Sequence, residues 1–210
     1  MALAKICGIT NLDDALAAAA AGADMLGFNF YPPSPRYITP EVVRTIVDRL
    51  QADYPKLMTV GVFVNESLDG IKNLSDAAGV SALQLHGNET RKYCEALKPY
   101  FLIKVFSASY GFAPEVVLGY NVEAIMLDAF DKEVFGGTGK LSNWDVARET
   151  RKLFPKLFLA GGLSPENVAD AIKRVQPYAV DACSRLESEP GQKDHARVRA
   201  FVAAVRAVGD

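Results

Sequence analysis

Cysteine is scarce in this sequence of 210 residues. Cys7, Cys94 and Cys183 make an odd count with no CxxC spacing, which argues against a disulfide framework or a thiolate metal site. Positive charge is not in excess either: the formal net charge of −2 gives no general attraction to nucleic acid or to an anionic membrane. No apolar run approaches the length that spans a bilayer, so no membrane partner is expected. The opening MALAKICGIT has no basic segment followed by a long apolar stretch, so no signal peptide is expected and the cytoplasm is the expected compartment. The first strand candidate lacks a glycine-rich dinucleotide fingerprint, since KICGIT is not GxGxxG. No linker, low-complexity tract or charge block divides the chain, and one domain over 1–210 is expected.

What is present is a regular alternation. Half of the residues are hydrophobic, and short β-like runs alternate with amphipathic stretches from end to end. The runs AKIC, DMLGFNF, LMTVGVFV, ALQLH, FLIKVF, AIMLDAF, KLFLAGG and YAVDAC are almost continuously apolar. That pattern fits parallel strands buried on both faces. Between them, Thr10 with Asp13 reads as a helix cap, Thr39-Pro40-Glu41 as a cap followed by an N1 proline, and Ser164-Pro165-Glu166 as the same device. Gly22 and Gly79 follow helical runs where a left-handed residue is wanted. Eight units of roughly 26 residues fit an eight-stranded parallel TIM (β/α)8 barrel better than an open doubly wound sheet.

In such a barrel the chemistry gathers at the C-terminal ends of the strands. Sorted by that rule, Cys7, Asn29, Arg36, His86, Asp128, Gly161-Gly162, Asp181 and Ser184 collect on one face. Each has an ordinary structural reading as well. A buried cysteine is most often a small hydrophobe, His86 can be a satisfied core histidine, and two glycines can simply turn the chain. Asp128 is harder to dismiss, because an aspartate after AIML is costly to bury unless it is hydrogen-bonded or working. The order strand, Gly161-Gly162, then a capped helix suits a phosphate seat. His195, in KDHARVRAF, reads as solvated surface.

With these residues placed, the chain resembles the phosphoribosylanthranilate isomerases of tryptophan biosynthesis. KICGIT at 5–10, GFNFYPPSPRYI at 27–38, VGVFVN at 60–65 and LQLHG at 83–87 stand in the family's order. So do LDAF at 127–130, GGTGK at 136–140 followed by Trp144, AGGLSPENV at 160–168 and VDACSRLESEPGQKD at 180–194. The resemblance implies an Amadori rearrangement of N-(5-phosphoribosyl)anthranilate to 1-(2-carboxyphenylamino)-1-deoxyribulose 5-phosphate. It makes Cys7 the general base and Asp128 the general acid, with Asp181 the second choice for the acid, and it calls for no metal or organic cofactor. It places Arg36 on the anthranilate carboxylate, Gly161, Gly162 and Ser184 on the phosphate, and His86 and Asp181 in the pocket wall. The implied partner is the small-molecule substrate, and the chain is expected as a monomer or homodimer.

The chain departs from the family where Cys183-Ser184-Arg185 replaces the common Ser-Ser-Gly. Loss of that glycine removes free access to positive φ, and Arg185 either adds a charged contact to the phosphate, the preferred reading, or points to solvent. Two other readings compete: a sugar-phosphate isomerase of histidine biosynthesis, which would use two aspartates, and a non-catalytic barrel that binds a phospho-ligand. Cys7 at the first strand argues against the former, and a cysteine kept together with Asp128 argues against the latter.

Overall fold

The structure, a computed structural model, describes residues 1–108, 111–128 and 143–208. Eight parallel strands close into a barrel: β1 (Leu3–Cys7), β2 (Met25–Asn29), β3 (Met58–Phe63), β4 (Ala82–Leu85), β5 (Phe101–Ser107), β6 (Ala124–Asp128), β7 (Leu157–Ala160) and β8 (Ala179–Ala182). Seven helices accompany them among the described residues: α1 (Leu12–Ala20), α2 (Pro40–Asp53), α3 (Leu68–Ala78), α4 (Arg91–Glu95), α5 (Asn143–Leu153), α6 (Val168–Val175) and α7 (His195–Arg206). Between β5 and β6 the described chain makes a 3-10 turn, Pro114–Val117, in place of a regular helix. A short antiparallel hairpin, β9 (Glu187–Glu189) with β10 (Gln192–Lys193), lies between β8 and α7. No helix among the described residues is long and apolar enough to cross a membrane.

Two caps differ from the sequence reading. The first helix is capped by Asn11, whose side chain accepts from the Asp14 N–H at 2.8 Å, while the Thr10 hydroxyl donates to the Gly191 carbonyl. Ser164 starts a turn rather than the regular helix: its carbonyl accepts from the N–H groups of Asn167 and Val168, and α6 proper begins at Val168. Thr39 and Pro40 stand as cap and N1, and Gly22 and Gly79 have φ of 90° and 69°, the left-handed conformation expected of them. GGTGK at 136–140 and the end of LDAF lie outside the described residues.

Period-two alternation divides each strand between two cores. Ala4, Ile6, Leu26 and Leu159 belong to the larger core shared with the helices. Met25, Val60, Ala82, Met126 and Phe158 belong to a smaller one, which fills the barrel. Register extends the inner face upward: Cys7 pairs with Gly27, Lys5 with Asp181, Val62 with Gln84, and Asp128 with Ala160. Lys5, Cys7, Gln84, Asp128 and Asp181 are thereby turned into the barrel's upper interior, whereas Thr59 and Lys104 stand on the helix-facing side.

Gly27 marks how tightly that interior is filled. A Cβ there would stand 2.7 Å from Cys7 Sγ, 3.1 Å from Lys5 Nζ and 3.2 Å from Cys7 Cα. Gly27→Ala therefore forces a packed thiol, a fixed ammonium and backbone apart. Overpacking of this kind costs about 1–3 kcal/mol, and urea denaturation should show a lowered midpoint with an unchanged slope.

Candidate active site

The nine residues that the sequence collects on one face, and Arg185 with them, line one cavity of about 210 Å³ at the C-terminal mouth of the barrel. Cys7 and Asp128 end β1 and β6, His86 follows β4, and Asp181 stands within β8. Arg36 arrives on the β2–α2 loop. Gly161 and Gly162, with φ of 97° and 66°, turn the chain sharply after β7. Ser184 and Arg185 occupy a 3-10 turn after β8. Among the described residues no group of three or more His, Cys, Asp or Glu is placed to hold a metal ion.

Cys7 is partly exposed to the cavity and is surrounded by groups that favour its thiolate. A hydrogen bond from Cys183 is the largest influence. With the charge and hydrogen bond of Lys5, it outweighs burial and the Asp181 charge and brings the Cys7 pKa down to about 6. Cys183, the partner in that bond, is pushed well above the ordinary thiol range by Cys7 and by burial. Lys5 is wholly buried, its Nζ donating to Asp181 Oδ1 at 2.7 Å. Burial lowers its pKa, but Asp181 and Cys7 more than offset this and the ammonium is retained. His86 stands in the open mouth, where loss of hydration lowers its pKa against the opposing pull of Asp128 and Asp181.

The loop holding Arg36 is ordered by its own short polar residues. Asn29 Nδ2 donates to Ser34 Oγ at 3.1 Å and Asn29 Oδ1 accepts from Tyr31 N at 2.9 Å, while Ser34 Oγ also accepts from Arg36 N at 3.1 Å. The aliphatic stem of Arg36 then lies against Gly8, where a Cβ would come within 2.7 Å of Arg36 Cδ and 2.8 Å of Cys183 Sγ. Gly8 also has φ of 75°, so the glycine of KICGIT is required for both its conformation and its clearance.

Sequence reasoning missed three residues here. Glu187 accepts from Arg36 Nε at 2.8 Å and Arg36 Nη2 at 2.6 Å, and from Lys193 Nζ at 2.8 Å. It is 3% exposed and joins the β2–α2 loop to the β9–β10 hairpin. The Glu187 bond is the main reason the Arg36 pKa is raised. Lys5 reads in AKIC as one polar residue in an apolar strand, and its partner is 176 positions away. Gln84 is 1% exposed and lines the cavity, with its Oε1 lacking a partner among the described residues. A buried acceptor without a partner is uncommon and suits a ligand hydroxyl; an amide inside ALQLH was the available signal.

The structure bears on two further residues of the sequence reading. Among the described residues, positive φ outside glycine occurs at Asn65 and Gln176, so Arg185 takes the place of a glycine without left-handed strain. His195 is not merely solvated: its Nε2 lies 2.7 Å from Oδ1 of buried Asp14. Asp14 Oδ2 accepts from the Lys193 N–H at 2.8 Å, so this pair also secures the hairpin.

A closed parallel barrel with an acid/base-competent cavity at its C-terminal mouth is the architecture of a (β/α)8-barrel enzyme. A family model described as N-(5'phosphoribosyl)anthranilate (PRA) isomerase matches residues 4–204. A protein of that name from Syntrophus aciditrophicus is 46% identical over 202 residues, covering 96% of this chain and 86% of its own length. The crystal structure of phosphoribosyl anthranilate isomerase from Thermotoga maritima superposes with a TM-score of 0.88 at 41% identity, covering 99% of this chain and all of that one. A crystal structure of a phosphoribosyl anthranilate isomerase with reduced 1-(o-carboxyphenylamino)-1-deoxyribulose 5-phosphate gives 0.87 at 40% identity, with coverage of 99% and 100%. The chain belongs to the N-(5'-phosphoribosyl)anthranilate isomerase family.

Glu187 generates a stability prediction. Glu187→Gln leaves the buried Lys193 and the Arg36 fork without their counter-charge, which costs on the order of 3 kcal/mol at neutral pH. Burial raises the Glu187 pKa, but the Arg36 and Lys193 bonds outweigh it and hold it below the ordinary value. The wild-type advantage is then complete above the unfolded pKa of about 4.3 and is lost as pH falls through the lower folded value. Denaturation at neutral and at strongly acidic pH should show the gap between the two proteins closing on the acid side.

Proposed function

We propose that this chain converts N-(5-phosphoribosyl)anthranilate to 1-(2-carboxyphenylamino)-1-deoxyribulose 5-phosphate in tryptophan biosynthesis, with Cys7 as general base and Asp128 as general acid. The observation that carries the reading is that Cys7, favoured as a thiolate, and Asp128 line the same small cavity. In this scheme Asp128 delivers its proton to the ribose ring oxygen; the C1–O bond breaks and the anilino nitrogen supplies the electrons, giving an iminium. The Cys7 thiolate then removes the C2 proton, and the C–H electrons neutralise the iminium to form an enolamine. Tautomerisation yields the ketone. The developing cation strengthens the thiolate's position as the reaction proceeds.

The remaining residues take binding roles. The Glu187 bonds occupy Nε and Nη2 of Arg36, which leaves Nη1 and the second Nη2 proton for the anthranilate carboxylate. The phosphate rests on backbone N–H groups at Gly161, Gly162 and Ser184, with the Arg185 guanidinium at the rim. The Arg197 side chain bridges the Arg185 carbonyl at 2.7 Å and Glu166 at 3.1 Å, so the turns after β7 and β8 are held to one another. Asp181, Gln84 and His86 face the ribose portion, with Gln84 Oε1 accepting from a hydroxyl. The isomerisation is redox-neutral and uses no organic cofactor.

Turnover, followed as loss of substrate fluorescence, tests the reading. The wild-type chain is expected to turn over, and Cys7→Ser and Asp128→Asn to lose about 10²–10⁴-fold or more in kcat while still binding product. Normal kcat in the Cys7 variant would remove the base assignment. Arg36→Met should instead act mainly on KM. A charge-assisted bond is worth roughly 1.5–3 kcal/mol, or about one to two decades, and an unchanged KM would release the carboxylate from Arg36.

A further inference from the structure

The mechanism above gives Lys5 no task. Lys5 is wholly buried in the middle of the barrel, among positions filled elsewhere by Met25, Val60 and Phe158. A buried ion pair is a weak source of stability. Replacing a buried pair with apolar side chains of similar volume is often neutral or stabilising, because desolvation offsets the attraction.

Its placement points upward. Lys5 and Cys7 are two residues apart on β1 and share its inner face. Lys5 Nζ and Cys7 Sγ both press on the same open face of Gly27, 3.1 Å and 2.7 Å from where a Cβ would stand. Asp181, opposite Lys5 in the β1–β8 register, fixes the ammonium by a 2.7 Å bond and keeps it from turning elsewhere. We propose that Lys5 is a positioning residue for the Cys7 base: its ammonium, anchored by Asp181 beneath the thiol, holds Cys7 as a thiolate before substrate arrives. This rests on the reading of Cys7 as the base.

Cys183 is the largest influence favouring the thiolate, and what Lys5 adds is a buried positive charge beside it. Cys183 donates a hydrogen bond but carries no positive charge, Asp181 opposes the thiolate, and Arg36, whose charge also reaches Cys7, is held on the loop side of the cavity with Nε and Nη2 on Glu187. His86 and Asp128 are further members of the same cavity wall. Lys5 also agrees with the direction of the Cys7 shift, since both its charge and its hydrogen bond act to lower it.

The test is the pH dependence of Cys7 alkylation by iodoacetamide, read on the Cys7 peptide by mass spectrometry, because the thiolate is the reacting species. Wild type should show a midpoint near pH 6. Lys5→Met should move it upward by about one unit or more and slow alkylation at neutral pH severalfold, whereas Lys5→Arg should restore most of the shift. Lys5→Met leaves Asp181 buried without its partner and can fail to fold, so the comparison is repeated with residue 181 neutral. Lys5→Met/Asp181→Asn should have its midpoint about one unit or more above that of Asp181→Asn alone. Cys183 is unchanged throughout. If the midpoints of the folded variants with and without Lys5 coincide, Lys5 does not act on the thiol and the proposal is wrong. That failure would leave the base assignment intact. Conversely, a fully active Cys7→Ser would overturn the base assignment while leaving the alkylation series unaffected.

Discussion

Closure of the sheet between its last and first strands is the constraint on which the site depends. Pairing of Lys5 with Asp181 and of Ile6 with Ala182 carries Cys7 to the same height as Cys183 and above the buried ammonium. A slip of one residue at that seam would turn every side chain of β1 to the opposite face. Cys7 would then join the helix-packed core and Ile6 would enter the cavity. Because each strand repeats with period two, one seam in register places Cys7, His86 and Asp128 around a single opening.

Four buried or half-buried charge pairs then shape that opening. Lys5–Asp181 lies beneath it at 2.7 Å. Glu187 anchors Arg36 at one side and ties the hairpin through Lys193. On another side Lys104 Nζ donates to Leu85 O at 3.2 Å, Gly87 O at 2.7 Å and Glu89 Oε2 at 2.9 Å, gripping the turn that carries His86. Buried pairs are poor sources of stability, since each ion must first lose its water. Their value here is directional: each fixes a loop or a charge relative to the cavity. Small residues complete the arrangement, for Gly8 and Gly27 allow an arginine, two thiols and an ammonium to approach the backbone as closely as they do.

The eight strands were legible in the sequence because strands buried on both faces read as unbroken apolar runs, and β7, for example, is contained whole in KLFLAGG. The site was legible by a second rule, that chemistry sits where those runs end, and this located Cys7, His86 and Asp128 directly. Less visible were features that depend on distant partners. Glu187 is 151 positions from Arg36 and stands in a polar stretch that reads as loop. Lys5 cannot be distinguished from an edge lysine until Asp181 is seen beside it. Local caps were displaced by one to three residues because Ser, Thr and Asn compete for neighbouring backbone donors.

The account's central claim, that Cys7 works as a poised thiolate base, is tested most directly by the pH dependence of kcat/KM for phosphoribosylanthranilate. That profile reports the essential groups of the free enzyme. The account predicts an ascending limb centred near pH 6, where Cys7 ionises in the folded protein. An ascending limb centred at the ordinary thiol value of about 8.5, or a rate that does not change as Cys7 ionises, would contradict it.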